Sequence, residues 1–434
     1  MNTFIITIPQ EQIQIFKEKM LNWISQFNIF CLLDSCNDHN NTTSISWSAA
    51  AGAKRSITIT KSEDYTSLKS FYDENPGFLF GHFNYDFGIT ENSVKQSNSV
   101  SAAFPNGFFF EPEILLQLVG TILTISSFTY NTQTVYDTIQ EGNSVVPHKI
   151  NKPYPAYRSV AKTQYIADVT KLKAHIQRGD CYEINYCQHF YVNDICLEPV
   201  AVYQALVAAS PVPFAALYRL NDRFCICASP ERYLKKEGYT LTSQPIKGTS
   251  PRVFNNPLAD EESKTSLLNS KKERSENVMV VDLVRNDLSK VCVPGSVFVK
   301  ELFGLYSFQT VHQMISTICG TFLPHAHWLN AIEATFPMGS MTGAPKKKVM
   351  DLIATFESEQ RGLFSGAIGY ITPNADFDFN VVIRSIFYDS KTQRASFYAG
   401  SGITFESIPE KEWEECELKI AAIVKVLQLD IERS

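Results

Sequence analysis

The chain has 434 residues, 44% of them apolar and 19% charged, with a formal net charge of -6. That apolar content excludes a disordered chain, and the length allows two or three domains or one large layered one. The acidic balance argues against a nucleic-acid footprint, and no stretch reaches the roughly 18 apolar residues of a membrane span. The start, Met1–Gln14, lacks a basic region followed by an apolar one, so a soluble cytoplasmic protein acting on a small molecule is expected. Ten cysteines without a C-x-x-C spacing read as buried, reduced thiols.

Residues 1 to about 150 read as short strands, among them Phe4–Ile8, Ile29–Leu33, Gly77–Phe83 and Ile114–Ser126, broken by polar segments at 37–43 and 91–101. The proline-bearing stretch Glu141–Tyr157 reads as a connector, and places a boundary near residue 150. Beyond it the pattern predicts a helix over Lys162–Gln177 and strands over Ile184–Val192, Phe214–Leu220 and Phe224–Ala228. A long helix follows over Leu258–Arg285. The last helix opens at Ser407-Ile-Pro-Glu410, a capping-box spacing with proline in the first turn. It carries an apolar stripe of Trp413, Cys416, Ile420, Ile423, Val424 and Leu427 to about Asp430. Solenoid repeats and heptads are absent.

Candidate chemistry sits on these elements. Glu273 and Glu276 share a helix face, as do Glu412 and Glu415. If the two pairs converge, their hard oxygens suit Mg2+; if not, they are acids on solvated faces beside Lys271, Lys272, Lys411 and Lys419. The glycine-bearing segments Pro245–Thr249, Gly339–Lys346, Gly366–Tyr370 and Gly400–Gly402 can present backbone N–H groups to an anion or simply turn tightly. Lys247, enclosed between Ile246 and Gly248, is a candidate nucleophile or a solvated amine. Glu231 in Ser229-Pro-Glu-Arg232 is a general acid or base if buried, and a partner for Arg232 if not. Arg384, within the apolar run Phe379–Ser385, needs an anion if it points inward.

Nine strings occur in unbroken order: GDCYEINYCQHF (179–190), SPER, PIKGT, KKERSENVMVVDLVRNDL (271–288), GSMTGAPK, RGLFSGAIGYI (361–371), VVIRS, AGSGI (399–403) and EKEWEECELK (410–419). Together they resemble the chorismate-utilising enzymes over about residues 157–428. The N-terminal region 1–150 agrees more faintly through Leu32-Leu33-Asp34-Ser35 and Gly81–Asp86. The resemblance implies an α/β (α+β) sandwich, with two antiparallel-sheet halves backed by helices around one deep cleft. Within the family, anthranilate synthases carry alanine inside the PI-x-GT string, and a large group of aminodeoxychorismate synthases carries lysine. Lys247 places the resemblance in the second branch.

That resemblance implies a reaction in which the Lys247 amine adds at C2 of chorismate as the C4 hydroxyl leaves. Ammonia then attacks C4 and expels the lysine. Glu231 would protonate the departing hydroxyl. Glu276 and Glu415 would bind Mg2+ directly, with Glu273 and Glu412 acting through water. Arg384 with Tyr370 would hold the enolpyruvyl carboxylate, and backbone around Gly248, Gly400 and Gly402 would assist. Thr249, Thr342 and Lys419 would line the pocket. Two positions depart from the family pattern: Glu183, where most relatives carry glutamine, and Gln313, where many carry histidine, with His312 beside it. Glu183 reads either as a group orienting a nucleophile or accepting its proton, or as a backbone hydrogen-bonding partner.

No cysteine sits in a G-x-C-x-G nucleophile turn, so ammonia is expected from a separate glutamine amidotransferase subunit. Three alternatives stay open: an anthranilate synthase component, an isochorismate synthase, and an inactive chorismate-binding regulatory relative.

Overall fold

The structure is a computed structural model that describes residues 2–36, 47–60, 65–87, 104–146 and 153–431. The polar segments 37–43 and 91–101, and the boundary near residue 150, lie outside them. One run of antiparallel pairings leads from Asn2–Thr7 through Ile122–Ser127, Gly107–Val119, Trp47–Ile59, Ile29–Asp34, Phe214–Leu220, Arg223–Ser229, Ser385–Asp389 and Arg394–Ile403 to Glu183–Val192. A second run leaves the first residues of Gly107–Val119. It passes through Leu79–Phe83, Ala367–Ile371, Phe377–Asn380, Arg232–Glu237 and Thr240–Gln244 to Val311–Thr321, which also pairs with Ile246–Pro251 and Phe298–Ser307.

The 13-residue strand Gly107–Val119 therefore serves both layers, and its partner Trp47–Ile59 shifts register between Ala53 and Arg55, where a bulge lets a strand bend. One core lies between the layers, with Phe80, Phe83, Phe109, Tyr218, Cys225, Cys227 and Phe379. The other lies beneath the outer helices, with Phe16, Trp47, Tyr165, Tyr186, Phe190 and Ile420. Both faces of Arg223–Ser229 are covered, so Cys225 and Cys227 are buried, and every described cysteine is a free thiol. Strands from either side of residue 150 pair directly, as Ile29–Asp34 does with Phe214–Leu220 and Leu79–Phe83 with Ala367–Ile371.

Sequence periodicity locates the helix Lys162–Gln177 and the strand Phe214–Leu220 at their observed bounds. Three expectations are corrected. The run Ile114–Ser126 is a hairpin, turned at Gly120 with φ +59°. The single helix over Leu258–Arg285 is two, Pro257–Asn269 and Lys271–Ser289. Ser270 leaves the helical region there, and its hydroxyl accepts from the Glu273 N–H at 3.3 Å. The last helix, Pro409–Leu427, has proline in its first turn but no capping box. Ser407 Oγ instead accepts from the Thr404 N–H at 3.0 Å.

Candidate active site

The site is assembled from chain segments far apart in sequence. The strand Ile246–Pro251 carries Lys247, and the start of Glu183–Val192 carries Glu183, which is 3% exposed. Lys247 Nζ donates to Glu183 Oε1 at 2.5 Å. The strand Arg394–Ile403 passes directly beneath. A Cβ on Gly402 would lie 2.8 Å from both Glu183 Oε1 and Lys247 Nζ and 3.5 Å from Glu276 Oε2. No larger residue fits at this position without displacing one of the three.

Burial alone would lower the Lys247 pKa, but the facing carboxylates Glu183, Glu276 and Glu415 outweigh it and raise it. The resting side chain is an ammonium. Enclosure between Ile246 and Gly248 therefore does not by itself make Lys247 a free amine. Glu231, at the turn between Arg223–Ser229 and Arg232–Glu237, is 4% exposed. Burial lifts its pKa to about 7, against the pull of Ser340, Lys247, the Ile246 N–H and Arg384. A carboxyl so tuned can deliver a proton near neutral pH. It is not the partner of Arg232, whose guanidinium Nε is bound by Asp378 Oδ1 at 2.9 Å.

Arg384 lies where strand structure stops, between Phe377–Asn380 and Ser385–Asp389, with φ +51°. It is not embedded in one strand, and the break gives it a direction the regular pleat would not. Burial lowers its pKa and the Glu231 charge opposes that shift, so the two groups are near enough to interact.

Both glutamate pairs lie near helix starts, where the helix dipole favours negative charge: Glu273 in the first turn of Lys271–Ser289, Glu412 in the first turn of Pro409–Leu427. Glu276 and Glu412 are buried, and Glu276 Oε1 and Glu412 Oε2 have no hydrogen-bond partner. Burial raises Glu276 to about 7 and also raises Glu273. Glu415 is held below its ordinary value, since Lys419 outweighs burial there and donates to Glu415 Oε1 at 2.7 Å. Buried carboxylate oxygens that no hydrogen bond satisfies suit a hard divalent cation in kind. Among the described residues no three carboxylates converge at ligand distance as they stand.

Other predicted residues take various places. Gly248 has φ +99°, and its Cβ would meet Glu273 Oε2 at 3.1 Å, so this glycine lets the Lys247 strand approach the glutamate helix. The Gly400 carbonyl accepts from Lys419 Nζ at 2.7 Å, which makes Lys419 a brace between helix and strand. The Thr342 hydroxyl is fully buried and donates to the Met338 carbonyl at 3.1 Å, within its own loop rather than toward the cleft. Thr249 is exposed and lies opposite Gln313 in the ladder.

Tyr370 is not with Arg384. It lines a separate cavity with Leu33, Asp34, Ser35, Phe214 and Asp378, and its neighbouring charges are Asp378, Arg232, Glu237 and Asp376. His312 is likewise occupied: Nδ1 lies 2.8 Å from Ser307 Oγ and Nε2 3.0 Å from Asp260 Oδ1. Gln313, on the opposite face, is buried with its Oε1 unpartnered.

Two residues to which sequence reasoning gave no role in the site matter here. The buried Arg361 guanidinium donates to the Asn185 carbonyl at 2.8 Å, the Met341 carbonyl at 2.6 Å and Glu357 Oε1 at 2.6 Å, so it ties the Glu183 strand to the loop holding Ser340. Lys272, expected in solvent, stands 3.3 Å from Glu412 Oε1 and 3.6 Å from Glu276 Oε1.

Residues 28–425 match the family described as chorismate binding enzyme. The chain belongs to this family. It is 32% identical to aminodeoxychorismate synthase component 1 of Salmonella typhimurium over 81% of this chain and 77% of that one. It is 38% identical to the chloroplastic aminodeoxychorismate synthase of Arabidopsis thaliana over 71% of this chain, spanning about a third (32%) of that relative's length. The crystal structure of anthranilate synthase component I from Streptococcus pneumoniae superposes with a TM-score of 0.73 at 23% identity, covering 92% of each chain. This chorismate-binding chain thus has the predicted sandwich fold, and none of its described helices is long and apolar enough to cross a membrane.

Proposed function

We propose that this chorismate-binding enzyme is an aminodeoxychorismate synthase component 1, making 4-amino-4-deoxychorismate from chorismate and ammonia. The observation that carries the reading is Lys247: its amine lies in the cleft against Glu183, on the same site as a buried carboxyl tuned near neutrality, Glu231. An amine and an acid are the two groups that a stepwise displacement on the chorismate ring requires. The Lys247 side chain, held 2.5 Å from Glu183 Oε1, reacts as the free amine once a proton has left it. The freed amine bonds to C2, the ring double bond shifts, and the C4–O bond breaks as Glu231 protonates the departing hydroxyl. Ammonia then bonds to C4, the double bond returns, and the C2–N bond to Lys247 breaks.

Arg384, within the field of Glu231, supplies a cation for a substrate carboxylate. Glu276 and Glu415, with Glu273 and Glu412 behind them, would hold Mg2+, which neutralises and orients the second carboxylate. Ammonia would come from a glutamine amidotransferase subunit, replaceable in vitro by ammonium.

The test is incubation of the chain with chorismate, Mg2+ and ammonium at mildly alkaline pH, with products identified by mass. A pyridoxal-phosphate lyase is then added to convert the product to p-aminobenzoate. Lyase-dependent p-aminobenzoate supports the proposal, and its loss in Lys247→Ala supports the lysine route. Anthranilate as the product would overturn it in favour of the neighbouring activity, and bound but unconverted chorismate would favour a regulatory relative.

A further inference from the structure

Among the described residues, Lys272 is a cation of the cleft that the chemistry above does not use. Lys247 is held by Glu183 and Lys419 by Glu415. Lys272, at the start of Lys271–Ser289, forms ion pairs with Glu276 and Glu412 and lies in the field of Glu273, while Glu276 also feels the Lys247 charge. Lys272 spans two helices, reaching Glu276 on its own and Glu412 on Pro409–Leu427. Its side chain is 37% exposed, whereas those of Glu276 and Glu412 are 8% and 1% exposed. A long, flexible side chain with one end toward water can withdraw; the buried carboxylates cannot.

We propose that Lys272 is a displaceable internal counter-ion, occupying the space between the two glutamate helices until a divalent cation takes its place. This rests on the reading of the four glutamates as a Mg2+ site. Without a cation, Glu276 and Glu412 would repel each other across the helix interface; Lys272 cancels that repulsion and keeps the cleft in register. Its presence also weakens metal binding, because an entering cation must first break both ion pairs. An arriving chorismate brings two carboxylates and so restores the balance in favour of the metal. Lys272 thereby couples the two binding events: metal held weakly alone and tightly with substrate. This ordering keeps the empty enzyme from trapping divalent cations in a carboxylate-rich cleft.

The experiment is Mn2+ binding followed by electron paramagnetic resonance, on wild type, Lys272→Met and Lys272→Arg, with and without chorismate. Lys272→Met removes the charge at similar length and should bind Mn2+ alone roughly tenfold more tightly than wild type, with the enhancement by chorismate correspondingly reduced. Lys272→Arg keeps the charge and should behave as wild type. As a readout independent of occupancy by substrate, Mg2+ alone should raise the melting temperature of Lys272→Met more than that of wild type. Equal or weaker Mn2+ binding by Lys272→Met, with an unchanged chorismate effect, would overturn the counter-ion role while leaving the metal site standing. Absence of Mn2+ binding in all three proteins even with chorismate would remove the metal site and the counter-ion together.

Discussion

Replacing Glu231 by glutamine should stabilise the protein above neutral pH while removing its activity. The carboxyl is 4% exposed, and its pKa is lifted from 4.5 to about 7. Between those values the unfolded chain has released the proton while the folded chain keeps it. Stability contributed at this position therefore falls as pH rises through the window and is fully lost above about 7. At about 1.4 kcal/mol per unit the wild type gives up about 3 kcal/mol there.

A glutamine never ionises, but its amide nitrogen must face one of the two donors at this carboxyl, the Ser340 hydroxyl or the Ile246 N–H, at about 1 kcal/mol. The net gain at about pH 8 is about 2 kcal/mol; at about pH 5, where the folded wild type is neutral, it vanishes or reverses. For 434 residues the unfolding entropy is about 0.9 kcal/mol/K, so the gain reads as roughly 2 °C. Scanning calorimetry of both proteins at the two pH values measures it, while product formation should fall roughly 10²- to 10⁴-fold. A melting difference independent of pH, or one growing more negative toward alkaline pH, would show that Glu231 is not held neutral by burial.

The remaining expectations follow from contacts. Gly402→Ala places a carbon 2.8 Å from both Lys247 Nζ and Glu183 Oε1; steady-state assays should find turnover lost while circular dichroism finds the fold kept. Tyr370→Phe, at the separate cavity, should leave the KM for chorismate unchanged; a severalfold rise would put the phenol back in the cleft. Arg361→Met strands the buried Glu357 carboxylate and should cost about 3–5 kcal/mol, read from denaturant midpoints.

What the sequence made legible is the part that depends on local strings. SPER and PIKGT each mark a short segment whose central residue faces the cleft, and the two E-x-x-E spacings mark helix faces. What it left illegible depends on which way a residue faces. Tyr370 follows Ile368 by two positions on the strand Ala367–Ile371, and both line the cavity that holds Leu33 and Ser35. The neighbours His312 and Gln313 point to opposite faces for the same reason, and only the structure shows that Asp260 and Ser307 take the histidine. Arg361 could not be foreseen. Its carbonyl partners at Asn185 and Met341 are backbone groups, which leave no trace in residue identity. Lys272 looked solvated because a helix written alone does not reveal that a second helix lies across its end.

The pairing of distant strands has a consequence for how the enzyme comes into being. Ile29–Asp34 waits for Phe214–Leu220, Leu79–Phe83 for Ala367–Ile371, and the Glu183 strand for Arg394–Ile403. A growing chain leaving the ribosome therefore carries apolar strand edges through most of its synthesis with no native partner to cover them. Folding is a late, collective event, and the catalytic cleft comes into existence only with its final step.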